Sequence, residues 1–220
     1  MNRPKLPIVV LISGRGSNLQ SIIDGIANGT LAADLRCVVS NQPGAPGLDR
    51  ARRAGVATLA VDHRTYPNRA AFDAALSKHI DAYQPGLVVL AGFMRILTAE
   101  FVEHYLGRLI NIHPSLLPAF TGLDTHRRAI ESGATEHGAS VHFVTPELDG
   151  GPIIVQARVP VLSGDTPDLL AARVLEQEHR ILPQAIRWFA EGRLALHDGI
   201  ALLDGVRTTE QGRLSRSRIG

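Results

Sequence analysis

Asn111 and His113 stand two residues apart, directly after the apolar run Leu109-Ile110. Side chains alternate along an extended chain, so the amide and the imidazole share one side. Pro114 and Pro118 then hold the following backbone away from helix and make it a loop. An imidazole next to an amide donor on a stiff backbone suits acid–base work. The same residues would also serve as a polar loop that simply caps a strand. Asp149 lies in Glu147-Leu148-Asp149-Gly150-Gly151-Pro152, whose glycines let backbone come close to a ligand. A carboxylate beside His113 favours imidazolium, which can face a developing oxyanion. Read locally, however, this stretch is first a hairpin turn with a solvated carboxylate.

A third candidate is Gly14-Arg15-Gly16-Ser17-Asn18, a glycine-rich turn opening a helical pattern. Such a turn offers free N–H groups and the positive end of the helix dipole to an anion. A dinucleotide fold would want glycine at position 19 and an acid after the second strand; Leu19 and Asn41-Gln42 stand there instead. The P-loop lysine is also missing, so a phosphate monoester fits better than a dinucleotide or ATP. The bland alternative is a turn that needs glycine for its geometry alone. His126, His137 and His142, with Asp124, match no metal-ligand spacing, and no metal is expected. There is no Gly-x-Ser-x-Gly elbow for a serine hydrolase. Phe93, Met94, Ile96 and Leu97 fit a core or the wall of a flat aromatic site equally well.

The elements that must position these residues alternate. The apolar run Leu6–Ile12 reads as a strand buried on both faces, Leu87–Ala91 as another buried strand, and Leu35–Ser40, Val56–Val61 and Leu109–Ile112 as further strands. Helical patterns lie between them: Leu19 to Ile26, a helix within Pro43–Gly55, Asn68–Tyr83, and a short one that Thr98 would cap. The second half predicts a short helix over Thr125–Ser132 and antiparallel strands over Gly138–Thr145 and Ile153–Val161. It continues with a long helix over Thr166–Ala190, distorted near Pro183, and a small hairpin within Gly192–Asp204. The fold class is α/β: a doubly wound, mostly parallel, Rossmann-like sheet with antiparallel strands added in the C-terminal half. Ligands of such sheets sit at the carboxyl ends of strands. Three polar loops, Gly14–Asn18, Gly92–Arg95 and Asn111–Pro118, lie at such ends.

The chain has 220 residues, 45% hydrophobic and 20% charged, enough for a substantial core. A net charge of +2 makes no general case for nucleic acid. Cys37 is the only cysteine, which rules out an internal disulfide and suits a reducing cytoplasm. The apolar run after Lys5 is too short for a signal core or a membrane span. The tail from Gly212, with Arg213, Arg216 and Arg218, reads as polar and mobile.

Several runs occur together and in order: Ile12 to Gln20, Leu90 to Leu97, Asn111 to Pro118, Glu136 to Val144, and Asp149-Gly150-Gly151-Pro152. Over about residues 8 to 205 the chain closely resembles the phosphoribosylglycinamide formyltransferases, folate-dependent glycinamide ribonucleotide transformylases of purine biosynthesis. The resemblance implies a formyltransferase domain over 1–205 and a polar tail over 206–220. Its N-terminal half would hold the nucleotide, and its C-terminal half the folate and the catalytic residues. Gly16, Ser17 and Asn18 match the phosphate loop, Arg108 a further phosphate contact, and Glu178 a ribose contact. Arg69, Met94, Arg95, Ile96 and Leu97 match the folate pocket. Thr145, Pro146, Glu147, Leu148 and Asp149 match the loop closing on the pterin. Asn111, His113 and Asp149 match the catalytic trio, with Asn111 and Asp149 also touching folate.

The implied cosubstrate is 10-formyltetrahydrofolate, used without a metal. The implied partners are small molecules alone, with no nucleic acid or membrane, in a monomer or homodimer. Three positions depart from the family pattern: Leu175 replaces a polar nucleotide contact, Asp124 a frequent histidine, and Thr121 a common proline. The rivals are a methionyl-tRNA formyltransferase, which carries a further C-terminal domain, and a formyltetrahydrofolate hydrolase, which carries an N-terminal regulatory one. A non-catalytic nucleotide-binding module is the alternative of a different class.

Overall fold

The computed structural model describes residues 4–208. Strand β1 (Leu6–Ile12) is the centre of the molecule, and Ile8 through Ile12 are fully buried. Its alternating side chains feed two separate cores. Ile8, Val10 and Ile12 pack in a layer with helices α1 (Ser17–Ala27), α2 (Pro46–Arg53) and α6 (Pro167–Ala190). Val9 and Leu11 pack on the other face with α3 (Arg69–Asp81) and α4 (Ala99–His104), through Phe72, Leu76, Ile80, Phe101 and Tyr105. A strand apolar on both faces requires such double cover.

Strands β2 (Ala33–Ser40), β3 (Ala57–Ala60), β4 (Leu87–Leu90), β5 (Leu109–His113), β6 (Glu136–Phe143) and β7 (Ile153–Pro160) complete a seven-stranded sheet of order β3-β2-β1-β4-β5-β6-β7. The first five strands are parallel, β6 runs antiparallel to β5, and β7 runs antiparallel to β6. Strand order reverses between β1 and β4, so the switch-point crevice opens above their carboxyl ends. The loops after β1, β4 and β5 meet there, as the alternation of elements predicts.

Helix α4 starts where expected, with the Thr98 hydroxyl accepting from Phe101 N. Helix α5 (Thr125–Glu131) follows the β5 loop. Helix α6 runs unbroken across Pro183; buried Ile181, Leu182, Ala185 and Ile186 hold both sides of the proline to the core. Trp188 and Phe189 pack its end on the same core.

A second sheet joins β8 (Leu194–His197), β9 (Ile200–Leu203) and β10 (Val206–Arg207). Val206 pairs with Leu203 and Arg207 with Leu202, so the fold continues past 205. The boundary drawn at 205 is therefore too early, because pairing extends the hairpin into a third strand. The arginines expected in the tail lie outside the described residues.

Candidate active site

Asn111 and His113 end β5, and the antiparallel register sets Asn111 opposite His142 and His113 opposite Ser140. His142 is buried, and its Nδ1 lies 2.8 Å from the Phe143 carbonyl. With the proton on Nδ1, its Nε2 is left as an acceptor for Asn111 Nδ2 at 3.1 Å. Burial pushes the His142 imidazole toward the neutral form, and the charge of His113 adds to that against the Phe143 carbonyl and Asp149. A neutral His142 thus turns the Asn111 amide and leaves its second N–H free for the crevice.

His113 is only 6% exposed. Its Nδ1 lies 3.5 Å from Asp149 Oδ2, and its Nε2 lies 3.0 Å from the Phe120 carbonyl. Both ring nitrogens thus face acceptors. Asp149 is held in turn by Gly122 N, which donates to Oδ2 at 2.8 Å. Its other oxygen is 3.9 Å from His142 Nε2, so one carboxylate stands between two histidines. Asp149 occupies left-handed backbone (φ 53°), which aims its side chain back into the fold. Gly151 follows where any side chain would run into the Phe143 carbonyl, so only glycine allows the turn.

The loop after His113 is fastened from β6 and β7. Ser140 Oγ donates to the Ser115 carbonyl at 2.6 Å and accepts from Leu117 N at 3.1 Å. Gln156 Nε2 donates to Ser140 Oγ at 2.8 Å and to the Leu117 carbonyl at 2.9 Å. Behind His113, the rings of His126 and His137 meet edge-on at 5.2 Å. His137 is fully buried with neither nitrogen hydrogen-bonded. Burial, then the charges of His126 and His113, push its imidazole down to about 4, against a weaker pull from the Pro114 backbone. These two are core imidazoles; among the described residues no group of three His, Cys, Asp or Glu is placed to hold a metal.

On the other side of the crevice, α1 opens from Gly16, in left-handed backbone at φ 69°, without any side-chain cap. Its first N–H groups are therefore available to an anion. Helix α2 braces this turn: Gly47 N donates to the Gly14 carbonyl at 3.0 Å, and Arg50 Nε to the Arg15 carbonyl at 2.8 Å. Asn18 Nδ2 donates to Glu178 Oε2 at 2.5 Å, joining α1 to α6. Asn18 Oδ1 is buried without a partner, an acceptor waiting for a donor. Burial raises the Glu178 carboxyl above its ordinary range, with the Asn18 bond opposing.

The third wall is the loop after β4, which has no regular structure from Phe93 to Thr98. Met94 and Ile96 are 67% and 57% exposed, and Leu148, on the segment between β6 and β7, is 54% exposed. Exposed apolar side chains on these two segments suit contact with an apolar ligand. Arg69 is exposed at the start of α3, and Arg95 sits over the Phe72 ring at 5.9 Å. A cavity of about 570 Å³ lies beside Thr145, Pro146 and Glu147 against β9 and β10, but neither Asn111, His113 nor Asp149 lines it.

The family model described as formyl transferase matches residues 6–186. The chain belongs to the formyl transferase family. It is 57% identical to the phosphoribosylglycinamide formyltransferase of Escherichia coli (strain K12), covering 93% of this chain and 97% of that one. The phosphoribosylglycinamide formyltransferase of Haemophilus influenzae is 45% identical over the same shares. The solved phosphoribosylglycinamide formyltransferase of Coxiella burnetii, a complex with CHES, superposes with a TM-score of 0.89 at 54% identity, covering 92% of this chain and 95% of that one.

Within this formyl transferase the fold brings Asn111, His113 and Asp149 together, and seats Gly16, Ser17 and Asn18 near Glu178. Arg108 is a correction. It stands at the amino end of β5, donating to the Pro85 carbonyl at 3.0 Å and stacking on Tyr105 at 4.8 Å. The Gly14–Asn18 turn lies at the carboxyl end of the sheet, so Arg108 belongs to the opposite edge. Glu178 from the second half of the chain joins Asn18 from the first. Read from sequence, His142 is a solvated or core histidine rather than a metal ligand. Its place opposite Asn111 needs the β5–β6 register, which no local signal encodes. Of the departures, Asp124 pairs with Arg127 at 2.6 Å, the Thr121 carbonyl accepts from Arg128 at 2.6 Å, and Leu175 sits half-buried on α6 before Glu178.

Proposed function

We propose that this chain transfers the formyl group of 10-formyltetrahydrofolate to the amine of glycinamide ribonucleotide in de novo purine biosynthesis. The observation that carries this reading is the meeting of Asn111, His113 and Asp149 between an uncapped helix N-terminus and an exposed apolar loop. Gly16, Ser17 and Asn18 hold the phosphate, and Glu178 the ribose. Arg69, Met94, Arg95, Ile96 and Leu97 bind the folate, and the backbone of Thr145 to Asp149 closes on the pterin.

The amine lone pair forms the new C–N bond to the formyl carbon, and the carbonyl electrons move onto oxygen. Asn111 donates its second Nδ2–H to that oxygen. His113 turns its Nε2–H from Phe120 to the same oxygen, and Asp149 holds the proton on Nδ1. The bond to the folate nitrogen then breaks as the amine proton passes to it through His113 or a water. Folate is a consumed cosubstrate, and the reaction takes place in the cytoplasm in a monomer or homodimer.

The test is a transfer assay with glycinamide ribonucleotide and a 10-formylfolate donor, following formylated nucleotide and released folate together. Equal formation of both is expected. Folate release with water as sole acceptor, or only with tRNA, overturns the assignment.

A further inference from the structure

The donor-side wall from Met94 to Leu97 has no regular structure, and Met94 and Ile96 bury little of themselves. Two side chains from other elements hold its ends. Met94 N donates to Ser13 Oγ at 2.7 Å, and Thr98 N donates to Asp73 Oδ2 at 2.6 Å. Ser13 is the first residue after β1, where the turn toward the phosphate loop begins, and its own N–H donates to the Gly92 carbonyl at 3.0 Å. One serine therefore ties the nucleotide side of the crevice to the donor side.

A hydroxyl has one proton, so Ser13 can accept from Met94 only with that proton directed elsewhere. Asn41 takes it: Ser13 Oγ donates to Asn41 Oδ1 at 2.6 Å. Asn41 is 2% exposed. His63 Nδ1 lies 3.3 Å from its Nδ2 and 3.1 Å from its carbonyl oxygen, so either tautomer of His63 binds Asn41 in place. With Oδ1 toward Ser13, the hydroxyl lone pair is left facing Met94 N–H. A reversed amide would put a second donor on Ser13 and leave its proton stranded. Asn41 occupies the end of β2, where a dinucleotide fold would carry its ribose-binding acid.

We propose that Ser13 and Asn41 are positioning residues for the formyl donor, fixing the Met94–Leu97 wall through the Met94 amide. The proposal rests on the transfer reaction above. Ser13→Ala removes both bonds with little change in volume, whereas Ser13→Thr keeps the hydroxyl. Steady-state kinetics and equilibrium binding of a non-transferable folate analogue are measured for both variants beside the unaltered protein.

For Ser13→Ala, donor KM and analogue Kd rise about tenfold, the scale of one lost hydrogen bond. Nucleotide KM and kcat stay within about twofold, and Ser13→Thr recovers most of the donor affinity. Asn41→Ser, which shortens the acceptor out of reach, gives the same selective rise. If the unaltered protein transfers formyl and Ser13→Ala binds the analogue normally, the positioning role is wrong. It is equally wrong if donor and nucleotide KM rise together, as in general loosening. If the unaltered protein transfers no formyl group at all, the functional reading itself fails.

Discussion

His113 Nε2 rests 3.0 Å from the carbonyl oxygen of Phe120, on the side of the ring away from Asp149. In the proposed mechanism the substrate oxygen must therefore replace that carbonyl, because the Nε2 donor is already engaged with backbone. His113→Ala removes both the proton and the charge. Single-turnover transfer should fall about 10²- to 10⁴-fold, the range for losing a general acid or an oxyanion donor. Nucleotide binding, measured by titration calorimetry, should change little. Near-normal turnover would remove His113 from the mechanism.

Asp149 does two jobs that substitution can separate. Its charge faces His113, and its Oδ2 accepts from Gly122 N at 2.8 Å. Asn at this position keeps an acceptor and tolerates the left-handed backbone, whereas Ala keeps neither. Asp149→Asn should cost turnover with a melting temperature close to that of the unaltered protein. Asp149→Ala should cost turnover and also loosen the 120–124 segment, seen as faster amide hydrogen exchange there. Equal exchange in both variants would show that the Gly122 bond does not hold the loop.

Glu178, proposed to hold the ribose, is a carboxyl that burial makes costly to ionise. Its carboxyl is raised by burial. A raised folded value means a contribution present below the ordinary 4.5 and lost as pH rises through the folded value. Glu178→Gln keeps an acceptor for Asn18 and abolishes this loss. Its melting temperature should exceed that of the unaltered protein at pH 7, with the difference shrinking toward pH 4. Nucleotide KM should rise about tenfold to a hundredfold, the cost of a charged hydrogen bond. A variant no more stable at pH 7 would show that the carboxylate is not strained by burial.

His137 makes stability depend on pH in the opposite sense. Its imidazole falls from an ordinary 6.5 to about 4 in the folded chain. Between those values the unfolded chain binds the extra proton, so stability drops as pH falls from 6.5 and levels off below about 4. The largest loss from this residue is about 3 kcal/mol. Denaturant unfolding across pH 4 to 7 should show that slope, and His137→Leu should flatten it. His126, His142 and His179, all lowered chiefly by burial, add a slope of the same sign that remains in that variant. An unchanged slope in His137→Leu would mean that the residue takes up its proton without penalty.

Much of this molecule is legible locally. The run Ile8 to Ile12 predicts a strand covered on both faces, because five apolar residues in succession leave no side for water. Gly16 before a helical pattern predicts an open anion-binding turn, because a left-handed residue there costs glycine little. Asn111 and His113 share a side because strand periodicity is two. Such features depend on backbone torsion and burial within a few residues, so sequence by itself determined the α/β alternation, the crevice at the strand ends and the pair on β5.

Tertiary structure alone decided which distant groups meet. Asn18 finds Glu178 on α6 only through docking of two helices, and His142 orients Asn111 only through the β5–β6 register. Asp149, a hairpin carboxylate by local reading, reaches His113 because its backbone turns left-handed beneath Gly122. Arg108, just before β5, is held at the amino end of the sheet by the Pro85 carbonyl, away from the crevice. Contacts like these are selected by packing of the whole chain, because each local conformation permits many registers and dockings, and only the buried cores of both layers make one of them stable.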